Sequence, residues 1–286
     1  MAVPTVLYGK QFEDNIQLAA QQLVSKFREK CVVKTGVKGS SKAFGYTDKE
    51  NARDKSGRMQ DTIYDDASAN RITAYLEFKY KALMMDIEDE LQIIADPKSA
   101  YVTSSLASLR RVMDSKLLDA LRGTKYTGVN GTGTSALPAG QKIAAAASGL
   151  TLNKLLATLE LFNDADVDEM DEKYIAIAPQ QLTNLLNITE IKSSDYNTLK
   201  ALVPGKVANF MGFNFTVSNL LTKVGTTRYA MAWSKSGAGL AIGKDIVGRV
   251  DEVQSKHYNW ATYASMFIGA TRIQDEKVVE ISCIEV

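Results

Sequence analysis

The segment from Tyr174 to Leu221 constrains the fold of this chain more than any other. It reads as a continuous apolar strand, YIAIAP, then a short helix, QQLTNLLN, a polar loop, and finally GKVANFMGFNFTVSNLL. In the last piece Phe213, Phe215 and Val217 alternate with Asn214, Thr216 and Ser218, the pattern of a half-buried strand launched from a turn at Gly212. The segment is mixed α/β, and none of its side chains is equipped to run a reaction.

Length and charge narrow the class of protein. A chain of 286 residues buries about three quarters of its unfolded surface, enough for one or two domains without disulfide or metal support. A formal net charge of +1 with 23% charged residues gives no reason to expect capture of nucleic acid by the surface as a whole. Cys31 and Cys283 are too few and too far apart in sequence for a metal cluster or a disulfide framework, so both read as buried free thiols. The opening MAVPTVLYGK lacks a secretory pattern, and no stretch approaches the roughly 20 apolar residues of a membrane span. The expectation is a protein made and used in the cytosol, with no membrane partner.

Along the chain, Phe12, Ile16, Ala19, Ala20, Leu23 and Phe27 recur at helical spacing and predict an amphipathic helix over residues 12–30. Residues 34–73 then lose all periodicity and carry four glycines from Gly36 to Gly57, so they are expected to stay out of a core as an extended arm. Next, ITAYLEFKYKALMM alternates strictly. Leu76, Phe78, Tyr80 and Ala82 lie on one side, Glu77, Lys79 and Lys81 on the other, predicting a strand whose charged face is wet. Asp96 and Pro97 then form a helix start and Gly123 a left-handed stop. Between them the stripe Val102, Leu106, Leu109, Val112, Met113, Leu117, Ala120 and Leu121 predicts a helix about 39 Å long.

Gly123–Gly149 reads as a loop with a short hairpin, and 151–163 as a second amphipathic helix. After Thr226 the chain is strand-rich: RYAMAWS, GLAIG, IVGRVDEVQ, YASMFIGATRI and KVVEISCIEV. The fold class is α+β.

Candidate chemistry fails on inspection. His257 is the only histidine, which removes most metal sites and histidine-based nucleophile arrangements, and it reads as a structural or surface residue. GTGTSA at 131–136 neither follows an apolar strand nor opens a helix, unlike a dinucleotide loop. The piece IGKD at 242–245 has Ala238 where a phosphate loop needs its first glycine and Asp245 where it needs Ser or Thr. Asp164, Asp166 and Asp168 have calcium-loop spacing, but Glu169 and Ile175 replace the required glycine and glutamate, leaving a solvated acidic turn. The acidic run Asp86, Glu88, Asp89 and Glu90 fits helix-start charge better than catalytic carboxylates. No catalytic, cofactor or metal residue is assigned, and no enzyme is expected.

The arm remains. Within residues 34–60, Lys34, Lys38, Lys42, Lys49, Arg53, Lys55 and Arg58 outnumber Asp48, Glu50 and Asp54, with Phe44 and Tyr46 interleaved. Such an arm could track phosphates or grip a neighbouring subunit through its acidic blocks at 86–90 or 164–172. Separated blocks of opposite charge favour the second, because they suit head-to-tail contacts between identical copies. The expected inter-subunit contacts are Lys38, Lys42, Phe44, Tyr46, Arg53, Lys55, Arg58, Asp86, Glu88, Asp89 and Glu90.

The order of elements, together with YIAIAP at 174–179 and GFNFTVSN at 212–219, resembles the major capsid proteins of tailed bacteriophages over nearly the whole chain. The resemblance implies the phage major capsid (Johnson) fold, shared with herpesviruses and encapsulins. By that likeness 1–32 is an N-terminal arm, 33–84 an extended loop (a β-hairpin), and 85–149 a peripheral domain with spine helix 97–122. Residues 150–265 form a mixed α/β axial domain, and 266–286 supply closing strands of the peripheral domain.

The implied function is a virion capsid protein, assembled in the cytoplasm of the bacterial host as pentamers and hexamers of itself. They form an icosahedral shell around double-stranded DNA, which touches the inner face without sequence preference. Relatives with a fused scaffold carry a long helical stretch before the N-arm, whereas here about ten residues precede it. That implies a separate scaffolding protein, alongside a portal protein and no cofactor. An encapsulin-like compartment shell is the alternative within the fold, and a nucleotide-using enzyme a remote one outside it.

Overall fold

The computed structural model describes residues 21–55, 57–59, 61–86, 98–187 and 209–285. Strands β1 (Val32–Thr35), β2 (Ser41–Thr47), β3 (Ala69–Tyr75) and β4 (Glu77–Met85) precede helix α1 (Lys98–Arg122). Then come β5 (Lys125–Thr127), β6 (Gly133–Ser135), β7 (Lys142–Ile143), α2 (Leu152–Asp164), β8 (Lys173–Ile177) and α3 (Pro179–Leu186). The chain closes with β9 (Asn209–Phe210), β10 (Phe213–Val217), β11 (Lys223–Val224), β12 (Thr227–Ser234), β13 (Ala238–Val253), β14 (Asn259–Arg272) and β15 (Val278–Ile284).

Helix α1 is the predicted long helix. Leu109, Met113, Leu117 and Leu121 recur every four residues and are buried, so its stripe lies along one face of a sheet ordered β1–β13–β14–β4. The main core forms between them, with Leu240, Ile242, Ala264, Met266 and Ile268 on the sheet side. The expected start at Asp96 and Pro97 lies outside the described residues. The expected left-handed stop does not occur: the Gly123 N–H still donates to the Asp119 carbonyl at 2.8 Å. Glycine is needed there because a Cβ would sit 2.8 Å from that same oxygen. Predicted strands GLAIG and IVGRVDEVQ are one 16-residue strand, β13, whose register against β14 shifts between Ile242 and Val247.

The Tyr174–Leu221 reading matches its described part. All five residues of β8 are buried, and β10 runs parallel beside it, with Phe213 opposite Lys173 and Val217 opposite Ile177. Met211 and Gly212 take positive φ at the turn before β10. These strands belong to a seven-stranded sheet ordered β7–β15–β12–β8–β10–β9, with β11 on β12. Its second core joins Leu155 and Phe162 of α2 to Ile175, Ile177, Phe213, Val279 and Ile281. Sheet membership therefore divides the chain differently from the expected break at 265/266. Strands β13 and β14 pack with α1, whereas β15 pairs with β12 in the mixed sheet through all seven of its residues. Sequence order could not show this, because the division depends on which long-range edges pair.

Two further expectations change. Residues 34–73 do contribute core: β2 and β3 pair from Ser41↔Tyr75 to Thr47↔Ala69, Ile72 is buried, and Phe44 packs with Ala74 and Leu76 on Ala241 and Ile273. The described residues between these strands are exposed. The helix predicted over 12–30 is absent from its described part, where 21–27 is irregular and only Arg28–Lys30 makes a 3₁₀ turn. The cause is Asp114 on α1, a buried carboxylate that accepts the backbone N–H of Lys26 at 2.9 Å and of Phe27 at 3.3 Å. It also accepts the Ser25 hydroxyl at 2.6 Å and the Gln22 side-chain amide. Phe27 then packs edge-on to Trp233, whose indole N–H donates to the Lys30 carbonyl at 2.8 Å.

Buried charges bolt the elements together. Arg272, fully buried, donates to the Leu121 and Gly123 carbonyls at 2.7 Å and to Asp275 at 2.6 Å. It thereby satisfies orphan carbonyls at the negative end of α1, and Lys125 closes the group on Asp275 at 2.9 Å. Lys154 of α2 donates to four carbonyls, those of Ala145, Ser148, Gly149 and Ser282, at 2.8–3.0 Å. Burial holds its ammonium below the ordinary 10.5.

Replacing Arg272 with Met is expected to lower unfolding free energy by about 3–5 kcal/mol, read as a shift in the urea midpoint. For Lys154 the unfolded chain binds the proton more tightly. Stability gains from this group as pH rises from its folded value towards 10.5, and Lys154→Met is expected to flatten that rise in thermal-melt profiles.

Candidate interaction surface

Strand β4 has its faces reversed from the expected sense. Glu77 points towards α1 and pairs with Lys116 at 2.5 Å and Lys79 at 2.8 Å, contacts that hold its carboxyl below the usual range. Phe78 and Tyr80, expected inside, are on the opposite face and exposed, with Tyr80 stacked on Tyr263 of β14 at 5.9 Å. The sheet thus has α1 on one side and an aromatic strip on the other. Alternation alone identifies two faces without saying which is wet, and Lys116 is the partner that decides.

The rejected motifs take ordinary places. His257 is exposed at a turn with φ 54°, and in 131–136 Gly131 turns the β5–β6 hairpin while Gly133 opens β6 opposite Thr127. Asp245, in the β13 irregularity, pairs with Arg28 at 2.6 Å. Among the described residues no group of His, Cys, Asp and Glu side chains could hold a metal ion. No described helix is long and apolar enough to cross a membrane.

Of the expected contact residues, Lys38, Arg53, Lys55, Arg58 and Asp86 are exposed, and Lys42 and Tyr46 are half-buried. Phe44 is a correction. It is buried in the third core, where its ring lies against Gly239, so it is spent within its own chain. Glu88, Asp89 and Glu90 lie outside the described residues. The structure does bring the basic arm to the acidic turn within one chain, since Lys49 pairs with Asp166 at 2.8 Å and lowers its pKa. Arg53 meanwhile grips Asp65 across the exposed loop at 2.5 Å. Beside these charges Met59, Ile63 and Tyr64 stand exposed.

Both cysteines are buried. Burial raises the Cys31 thiol to about 12 and the Cys283 thiol to about 11. A maleimide or disulfide reagent at pH 8 is therefore expected to modify neither in the native chain and both after denaturation.

Among the described residues the chain combines a sheet-and-helix layer pair, a mixed α/β body and an exposed charged loop, with aromatic side chains exposed on β4 and β14. The chain belongs to the phage capsid protein family, whose family model matches residues 5–285. No curated protein sequence matches it. Solved structures give the fold. The capsid of cyanophage P-SCSP1u superposes with a TM-score of 0.76 at 15% identity, covering 98% of this chain and 94% of that one. The capsid of Ralstonia phage GP4 gives 0.75 at 10%, covering 99% and 96%. That of Helicobacter pylori bacteriophage KHP30 gives 0.71 at 11%, covering 98% and 96%. The fold is the Johnson fold of major capsid proteins, and the chain is a structural component of a phage virion shell.

Proposed function

We propose that the chain tiles an icosahedral shell as pentamers and hexamers and encloses double-stranded DNA. In this reading it assembles in the cytoplasm of the bacterial host with a separate scaffolding protein and a portal protein. The observation that carries the proposal is a pair of surfaces that the described residues leave exposed. The strip of Phe78, Tyr80 and Tyr263 and the loop with Met59, Ile63 and Tyr64 are both exposed, and each gains by burial against another copy. Each contact can be weak, because a closed shell makes very many at once.

The peripheral unit is α1 with β1, β4, β13 and β14, and the axial unit is the seven-stranded sheet with α2 and α3. The extended loop runs out from the β2–β3 hairpin, and the segment before β1 is the N-terminal arm. Lys38, Lys42, Tyr46, Arg53, Lys55, Arg58 and Asp86 act as inter-subunit contacts, together with the sequence-assigned Glu88, Asp89 and Glu90.

The test is removal of the loop beyond the hairpin. Deleting residues 49–67 and closing the strands with Asn-Gly keeps β2, β3 and Phe44. The variant is expected to fold with an unchanged circular dichroism spectrum and to give no particles in negative-stain micrographs. Normal shells from this variant would overturn the proposal.

A further inference from the structure

The geometry points to a binding site at the start of β8 for a peptide segment of mixed charge, whose carboxylate meets Lys173 and whose neighbouring basic side chain meets Glu169. The inference goes beyond self-assembly and uses none of the surfaces that carry that reading. Strands β8 and β10 start side by side here, next to the last turns of α2. A pocket of about 660 Å³ opens between them, within the roughly 300–1,000 Å³ of ligand sites. Leu159 and Asn163 of α2, Met211 of the turn before β10, and Lys173 line it together with the acidic turn at 169–172, whose Glu169 and Met170 are exposed.

Lys173 is the unusual member. Among the described residues three lysines are buried: Lys125, Lys154 and Lys173. Two are engaged, Lys125 by Asp275 at 2.9 Å and Lys154 by its four carbonyls. The third is not. Lys173, 9% exposed, lies on the face of β8 that carries Ile175 and Ile177 into the second core, so its side chain runs beneath α2. Its cross-strand neighbours on that face are Phe213 and Ser234. Phe213 is apolar, and the buried Ser234 hydroxyl itself lacks a partner among the described residues. Among those residues no carbonyl or carboxylate bonds the Lys173 ammonium either. A buried cation is thus left facing the pocket, and a carboxylate is the group that offsets it best.

The acidic turn decides what must accompany that carboxylate. Glu172 is occupied by the Tyr174 hydroxyl at 2.6 Å and Lys235 at 3.1 Å, and Asp171 by the Ser236 hydroxyl. Glu169 is unpaired among the described residues. Three carboxylates at the mouth repel a purely anionic ligand such as a phosphate chain, whereas Glu169 attracts a basic group. Leu159, Met170 and Met211 supply apolar contact for the chain that joins the two charges.

Ligand-observed NMR on free full-length subunits tests the site with three probes: acetyl-Gly-Arg-Leu with a free carboxyl terminus, its carboxamide, and the carboxamide of acetyl-Gly-Arg-Glu-Leu. Saturable binding of the first is expected, with the first carboxamide about tenfold weaker, the worth of one charge-assisted bond. Equal binding of the glutamate peptide assigns an acidic side chain as a second source of the carboxylate, and its failure assigns a chain end. Lys173→Met is expected to weaken the first peptide about tenfold, and Glu169→Gln, on the exposed turn, about threefold. As a readout that needs no variant, the first peptide is expected to protect Lys173 from acetic anhydride. No saturable binding by either carboxylate peptide, equal binding of the first peptide and its carboxamide, or Lys173 labelling unchanged at saturation overturns the inference. Each of these leaves self-assembly standing, because it is read on unassembled chain.

Discussion

The packing of α1 on β13, β14 and β4 is the constraint on which the rest of the structure depends. A 25-residue helix is about 37 Å long, and strands of 14 and 16 residues reach about 46–53 Å. Their match lets one apolar stripe be buried along its length. Among the described residues the result is a two-layer plate, with its second sheet face covered where the β2–β3 hairpin closes over Ala241 and Ile273. Asp114 and Arg272 fix the helix near its middle and at its end. The first takes the N-terminal segment through backbone amides, the second takes the terminal carbonyls of α1. Because both groups are buried, their bonds are costly to lose.

From this plate the functional character follows by subtraction. The main and second cores take in most of the buried apolar side chains of α1, α2 and the two large sheets. Among the described residues they leave the aromatic strip of β4 and β14 and the apolar residues of the loop exposed. A shell subunit has a use for such surface, since neighbours supply the second layer that the plate lacks. The intrachain bond from Lys49 to Asp166 joins two exposed groups and is worth little by itself, so it does not prevent the loop from meeting another copy.

Much of this was legible in the sequence, for physical reasons that differ by element. The buried β8, the turn before β10 and the stripe of α1 each follow from local period or turn chemistry. The coil at 21–27 was hidden because its cause, Asp114, lies some ninety residues away and competes for the amides a helix would use. The sense of β4 was hidden for a similar reason: Glu77 and Lys79 read as solvent-facing until Lys116 of α1 is placed beside them. Sheet membership of β13, β14 and β15 depends on long-range edges, which no local pattern encodes. The contact surface was half legible. The charged loop stood out by composition, whereas Tyr263 and Arg249 come to the same face only through the register of β13 on β14.

Hydrogen–deuterium exchange on free subunits and on assembled particles tests the central claim most directly. The account predicts equal, strong protection of α1, β13 and β14 in both states, with protection of residues 48–68 gained only in particles. Residues 48–68 equally protected in the free subunit, or equally exchanging in the particle, would contradict it.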